Sequence, residues 1–203
     1  GALKSEIEEK GDIILVDTED SYMNLVYKAV ITFFISQAHC PTPFLLKIDQ
    51  DVVFNVDKFM DQVGSTFHSD HPVIYCRPIN YYVCMPYRDP RSAWYVSFHQ
   101  YSEWFFPNYC SGPAYVLTSH AVNAIMKKLH EFDVMTIEDV FFTGIVARAA
   151  DVKRIPMAGR FRTNYNAYSL VSKLDCPGEI LAVHDVKTEE DFRKAWELLS
   201  RDC

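Results

Sequence analysis

The segment Phe44-Leu45-Leu46-Lys47-Ile48-Asp49-Gln50-Asp51-Val52-Val53-Phe54 limits what this chain can become. Two apolar runs of strand length, rich in branched and aromatic side chains, are interrupted by two carboxylates, the pattern of a buried strand that delivers acids to a cleft. In an extended backbone, side chains two apart share a face, so Asp49 and Asp51 are expected to point together while Gln50 points away. Carboxylates about 6–7 Å apart repel unless a cation or a proton lies between them, and a hard divalent metal suits that position.

The flanking sequence supplies a setting for this segment. Gly11 opens a turn that leads into Ile13-Ile14-Leu15-Val16, read as a short buried strand. Ser21 then reads as a helix N-cap, with Tyr22, Leu25, Val26, Ala29, Val30, Phe33 and Phe34 recurring at helical spacing to about Gln37. Cys40-Pro41-Thr42-Pro43 ends the helix and leads into the acidic segment. Strand, helix and strand with short connections predict a βαβ unit with parallel strands, and ligands in such sheets sit beyond the carboxyl ends, where Asp49 and Asp51 fall. At 203 residues and 49% hydrophobic content the chain can bury one substantial core, so residues 1–203 read as a single domain. The net charge of −7 excludes nucleic acid as the main partner, because phosphate binding needs a basic face. No run of 18 or more apolar residues occurs, and no signal peptide is legible at Gly1.

Further on, Val56 to Val63 predicts a short helix with Asp57 as a possible cap, and Val73 to Cys76 a strand. His68, Asp70 and His71 lie in a polar loop and read as solvated surface more readily than as metal ligands. From Pro78 to Tyr109 the chain is irregular and crowded with rings, which either fill a core or line a site for a ring-shaped ligand. Cys110 to Thr118 reads as a turn feeding a strand, followed by a helix capped by Ser119 with Val122, Ile125, Met126 and Leu129 inward. Thr136-Ile137-Glu138-Asp139 opens another helix, with Phe142, Ile145, Val146 and Ala149 inward, where the two acids on their own terms compensate the dipole and cap the start. Asp151 to Ile155 predicts a strand, and Ile180 to Val183 an apolar run that ends at His184. Beside a carboxylate pair, that imidazole would complete a mixed N and O site suited to Mn²⁺ better than Ca²⁺. Thr188 caps a last helix, with Phe192, Ala195, Trp196 and Leu199 inward. The six cysteines show no CxxC spacing, which argues against structural zinc and leaves disulfides and buried thiols equally open.

Several of these blocks occur together in a recognisable order: Gly11-Asp12-Ile13-Ile14, Asp20-Ser21-Tyr22-Met23-Asn24-Leu25, Cys40, Lys47-Ile48-Asp49-Gln50-Asp51-Val52, Trp94-Tyr95-Val96-Ser97, Tyr109-Cys110-Ser111-Gly112, Tyr115-Val116-Leu117 and Glu138-Asp139-Val140. The succession resembles the beta-1,3-galactosyltransferase and N-acetylglucosaminyltransferase superfamily, glycosyltransferase family 31. The resemblance implies an α/β, GT-A-like (Rossmann-like) mixed sheet flanked by helices. It implies metal-dependent, inverting transfer of a hexose from a UDP-sugar donor to an acceptor glycan hydroxyl, on a glycoprotein or glycolipid, in a β-1,3 linkage. Asp51 is then the direct ligand of Mn²⁺ or Mg²⁺, His184 the second, and Asp49 a supporting ligand or donor contact. The base falls within Glu138-Asp139, with Asp139 preferred, and Lys47, Asp49, Trp94, Tyr95 and Gly112 are expected at the substrate.

The sequence also departs from the family pattern. Gln50 replaces a third acid, and Pro113 and Ala114 stand where glycines are usual, which is expected to narrow the donor pocket if backbone approaches the donor there. Family members carry an N-terminal membrane anchor, a stem and a first βαβ segment before the point where this chain begins, so it reads as N-terminally truncated. The resemblance further implies a type II membrane protein of the Golgi lumen, in contact with the membrane only through that anchor, and a Cys40–Cys110 bridge. The alternative is a non-catalytic, galactosyltransferase-like module that binds a glycan or a partner.

Overall fold

The apolar runs of the central and C-terminal chain assemble into two sheets, seen in a computed structural model that describes residues 2–64, 70–80 and 84–201. In chain order the elements are helix α1 (Ala2–Lys10), a 3-10 turn at Tyr22–Asn24, α2 (Leu25–Ala38), strands β1 (Phe44–Ile48) and β2 (Val52–Phe54), and α3 (Val56–Val63). There follow β3 (Val73–Ile79), β4 (Tyr109–Thr118), α4 (Ser119–Lys128), a π-helical segment (Val140–Val146) that runs into α5 (Ala147–Ala149), and β5 (Lys153–Pro156). The last are β6 (Phe161–Arg162), α6 (Ala167–Val171), β7 (Ala182–His184) and α7 (Glu189–Leu199). One sheet has the order β1-β4-β3-β5 and the other β2-β7-β6, each mixing parallel and antiparallel pairs. Mixed sheets flanked by helices match the GT-A-like class expected from sequence.

Strand alternation explains how the larger sheet is buried on both faces. Leu45, Ile74, Cys76, Tyr115 and Leu117 face a core shared with α2, α4 and the π-helical segment, where Phe33 meets Phe142 edge-on at 5.1 Å. Leu46, Val73, Tyr75, Ala114 and Val116 face the second sheet, packing with Phe54, Phe59 and Phe161. Beyond that sheet, α7 and α6 close a third cluster through Ala195, Leu198, Leu199, Ala167 and Val171.

Several expectations change. Ile13 to Val16 forms no strand: it runs as coil, with Ile14 59% and Leu15 66% exposed, so no parallel βαβ unit precedes β1. β1 instead pairs antiparallel with β4, and among the described residues its other edge is unpaired. A strand needs a ladder partner, and local apolar pattern cannot supply one. Helix caps shift by short steps, because the side chain with the right backbone geometry wins over its neighbour: Asn55 rather than Asp57 receives the Lys58 N–H, and Thr118 rather than Ser119 the Ala121 N–H. On α7 the inward residues include Leu198, while Trp196 is exposed. His68, Tyr81 and Tyr82 lie outside the described residues.

The disulfide expectation is also corrected. Cys110 bonds Cys76 on the adjacent strand, diagonally across the register shift that sets Cys110 opposite Pro78 and Cys76 opposite Tyr115, and Cys40 is an exposed free thiol just past the end of α2. Sequence gives no Cα separation, and only the register of β3 on β4 brings the two carbons to 5.6 Å. This bridge closes a loop 34 residues apart in sequence, a constraint on the unfolded chain worth roughly 2–4 kcal/mol. The Cys76→Ala/Cys110→Ala double variant is therefore expected to melt about 5–15 °C lower by calorimetry. Peptide mapping of the native protein that recovers a Cys40–Cys110 link would reject the pairing.

Candidate active site

The acidic segment does not stay extended. The Val52 N–H closes a turn onto the Asp49 carbonyl at 3.2 Å, and in that turn the chain leaves one sheet for the other. Asp49 ends β1, its N–H bonded to the Pro113 carbonyl across from β4. Asp51 opens β2, with its carbonyl taking the Val186 N–H beyond β7. A turn cancels the alternation on which the shared face depended, so the two carboxylates enter different surroundings.

On the second sheet, the antiparallel register sets His184 opposite Val52 and so beside Asp51. Their Nε2 and Oδ2 atoms lie 3.3 Å apart, with Lys187 Nζ 3.8 Å from the same oxygen and 2.5 Å from Asp185. That ammonium holds the Asp185 carboxyl below its usual range. Asp51 and His184 thus offer an oxygen and a nitrogen donor side by side. Among the described residues no group of three His, Cys, Asp or Glu side chains gathers closely enough to hold a metal by itself.

On the first sheet, Lys47 and Tyr115 are cross-strand partners, and the Lys47 ammonium stands 5.6 Å from the Tyr115 ring centroid. Lys47 Nζ reaches Asp49 Oδ1 at 2.5 Å, the Gly112 carbonyl at 2.7 Å and Glu138 Oε2 at 3.8 Å. The Tyr115 hydroxyl donates to the other oxygen of Glu138. Glu138 is buried, and desolvation pushes its carboxyl up, opposed by the Lys47 charge and the Tyr115 hydrogen bond. The next residue, Asp139, keeps partial contact with solvent, yet desolvation and the Glu138 charge lift its carboxyl to about 7 against backbone hydrogen bonds from Val140 and Gly112.

Asp139 is held from both sides of its backbone. It caps the π-helical segment, accepting the Val140 N–H at 2.8 Å, and its carbonyl takes the Thr143 hydroxyl at 2.5 Å. That buried hydroxyl also accepts the Cys110 N–H at 2.8 Å, which ties the helix start to the start of β4. Wide π turns of this kind recur at functional sites. Gly112 is the closest neighbour on β4: a Cβ built there would lie 3.0 Å from Asp139 Oδ2. Close approach, not an unusual backbone angle, accounts for this glycine. Ala114 points into the core between the sheets instead of toward this cluster.

The rim is aromatic. Tyr22 sits where burial and the charges of Asp139, Glu138 and Asp49 push its phenol upward, and it accepts a hydrogen bond from Trp94. Trp94 in turn packs against Tyr87 at 5.5 Å, and Tyr95 bridges to Tyr87 through the backbone. Tyr109, hydrogen-bonded to Cys84 at 3.2 Å, is also raised, first by burial and then by Cys84 and Asp139. Of the expected site residues, Lys47, Asp49, Gly112, Glu138, Asp139 and Trp94 therefore surround one cluster, while Asp51 and His184 form a second pair joined to it by the turn. Sequence reasoning missed Tyr22, Tyr115 and Thr143. Each lies in an apolar helical or strand pattern that a core residue would produce equally well.

A galactosyltransferase family profile matches residues 1–158. The chain belongs to this family. Among curated proteins it is similar to beta-1,3-galactosyltransferase bre-2 of Caenorhabditis elegans, 30% identical over 93% of this chain and 52% of that protein. It is 29% identical to human beta-1,3-galactosyltransferase 4, over 97% of this chain and 58% of that protein. Similarity extends to hydroxyproline O-galactosyltransferase GALT6 of Arabidopsis thaliana, at 31% over 68% of this chain and 20% of that protein. The chain spans somewhat over half the length of the first two relatives. The matched region contains the Asp49-to-Val52 turn and the Glu138-Asp139 pair, and for these relatives the similarity runs on into the His184 strand's part of the chain.

The contact between Gly112 and Asp139 yields a test independent of turnover. In Gly112→Ala the added methyl displaces the carboxyl and weakens the backbone hydrogen bond that lowers its pKa. Asp139 should then titrate above about 7, readable by carboxyl carbon NMR. An unchanged titration would mean that the strand and the acid are not in contact.

Proposed function

We propose that this chain carries the catalytic core of an inverting, metal-dependent hexosyltransferase. It moves a galactose or N-acetylglucosamine-type sugar from a UDP donor to an acceptor glycan hydroxyl in a β-1,3 linkage. The observation that carries the reading is a carboxyl lifted to about 7, Asp139, at the edge of a buried acid network one turn of chain from a carboxylate–imidazole pair. That the relatives are beta-1,3-galactosyltransferases supports the galactosyl chemistry.

Asp139 acts as the base: it takes the proton of the acceptor hydroxyl while that oxygen bonds to the donor's anomeric carbon and the bond from that carbon to the diphosphate breaks. A carboxyl near 7 is a stronger base than an ordinary aspartate and remains ionised in useful amount at neutral pH. Glu138, fixed by Tyr115 and Lys47, sustains that basicity through its charge. Asp49 contacts the donor. Lys47, drawn to Asp49, Gly112 and Glu138, holds these groups in place. Trp94 lies at the rim, where a sugar ring can stack.

Asp51 and His184 would hold Mn²⁺ or Mg²⁺. Their nitrogen and oxygen donors, 3.3 Å apart, are close enough for one such ion to bind both. Such ions are commonly bound by one or two protein side chains with the remaining positions filled by phosphate oxygens and water, so a two-donor site suits a diphosphate substrate. The bound ion would neutralise charge on the departing UDP. The Cys76–Cys110 bridge supports an oxidising compartment such as the Golgi lumen. Among the described residues no helix is long and apolar enough to cross a membrane, so an anchor would lie outside them.

Incubation with Mn²⁺ and a panel of UDP-sugars should release UDP. Asp139→Asn should cut the rate by about 10²–10⁴-fold. Asp51→Ala should remove the metal stimulation. Because the base must be ionised, kcat/KM should rise about tenfold per pH unit up to roughly 7 and then level off. Release that persists in Asp139→Asn, or a flat profile from pH 5.5 to 8, would remove the base assignment. No release with any donor would favour a binding module.

A further inference from the structure

The segment from Arg88 to Phe106 holds a second pair of rings that the site above does not use. Phe98 and Trp104 meet edge to face at 5.4 Å, and they are 49% and 65% exposed. Exposed rings on a loose loop would need no explanation. These two stand on a braced one. Arg88 donates to the carbonyls of Val96, Tyr101 and Glu103 at 2.7–2.8 Å while its guanidinium lies 4.0 Å from the Phe98 ring centroid. Ser97 and Gln100 exchange hydrogen bonds, the Tyr101 N–H closes onto Ser97, and the Tyr101 hydroxyl bonds the Phe105 carbonyl. The platform is therefore ordered before any ligand arrives, which lowers the cost of binding on it.

Its position is continuous with the active-site rim. Trp94, hydrogen-bonded to Tyr22 beside Asp139, stacks on Tyr87, and Arg88 follows Tyr87 directly. Phe98 follows Trp94 by four positions, so their Cα atoms lie no more than about 14 Å apart. The chemistry favours a neutral, amphipathic ligand. The Arg88 guanidinium is engaged by three carbonyls and by the Phe98 ring, so it is not turned toward an anion. The exposed neighbours His99, Gln100 and Glu103 can meet hydroxyl groups. Flat apolar faces with polar groups at the edge are what a sugar ring recognises.

We propose that Phe98 and Trp104 form a distal acceptor subsite, so that the protein engages an acceptor glycan of two or more sugars, its reactive end at Trp94 and its inner sugars on this pair. The inference rests on the hexosyltransferase reading and specifies the acceptor of that site. The test compares KM for a methyl monosaccharide, the corresponding free tri- or tetrasaccharide, and the same oligosaccharide on a lipid tail, with the UDP-sugar that supports turnover. KM should be at least fivefold lower for the free oligosaccharide than for the monosaccharide. That ratio should fall toward one in Trp104→Ala and in Phe98→Ala, and largely return in Trp104→Phe, with melting temperature confirming the fold. A ratio equal in wild type and Trp104→Ala overturns the subsite, and so does a preference that follows the lipid tail instead of the number of sugars. If no donor is turned over, the enzymatic reading fails by itself. Saturation-transfer NMR then decides the subsite: oligosaccharide signals present with wild type and absent with Trp104→Ala sustain it, and no signal with wild type rejects it.

Discussion

The ammonium group of Lys47 is the point on which the site depends. It stands among Asp49, the Gly112 carbonyl and Glu138, and it faces the ring whose hydroxyl binds Glu138. Taking Glu138 out of water without this cation would leave a buried carboxylate with one neutral donor, a state that proteins avoid by protonation or rearrangement. With it, the cluster tolerates an acid at the foot of the π-helical segment and a second acid next to it. The network also joins three elements distant in sequence, β1, β4 and the helix start, so the position of Asp139 follows from cross-strand register as much as from its own helix.

The turn between β1 and β2 makes a second constraint. Because the chain changes sheets between Asp49 and Asp51, one carboxylate is committed to the ammonium of the first sheet and the other to the imidazole of the second. A continuous strand would have put both on one face and forced them to share a counter-ion. Separation gives each a distinct partner.

The elevated Asp139 pKa has an energetic side. A folded-state pKa above the usual 3.8 means that the native state holds a proton that the unfolded chain has already released. As pH rises from about 4 through about 7, this group's contribution to stability declines. The surrounding core, with Phe33, Phe141 and Phe142 fully buried and Thr143 bonded on both sides, is rigid enough to carry that cost. Function at such a site takes stability from packing elsewhere.

Much of this was legible in the residues themselves. The runs Phe44–Ile48 and Val52–Phe54, the stripes of α2, α4 and α7, and the acids at 138 and 139 are local patterns, and local patterns are set by backbone period and burial. Motif order along the chain was enough to name the family, whose profile then matched. Other features belong to the tertiary structure alone. Ile13 to Val16 has strand composition but no ladder partner among the described residues; Cys110 had several possible partners until β3 lay beside β4; Tyr115 was a core-like residue until its hydroxyl met Glu138, and Tyr22 one until Trp94 and the charges of the acids surrounded its phenol. Composition and period determined where most of the helices and strands would form and where acids would emerge, though not the burial of Ile13 to Val16. Which acid met the ammonium and which met the imidazole was decided only by strand register, because register is a relation between distant segments and no single segment contains it.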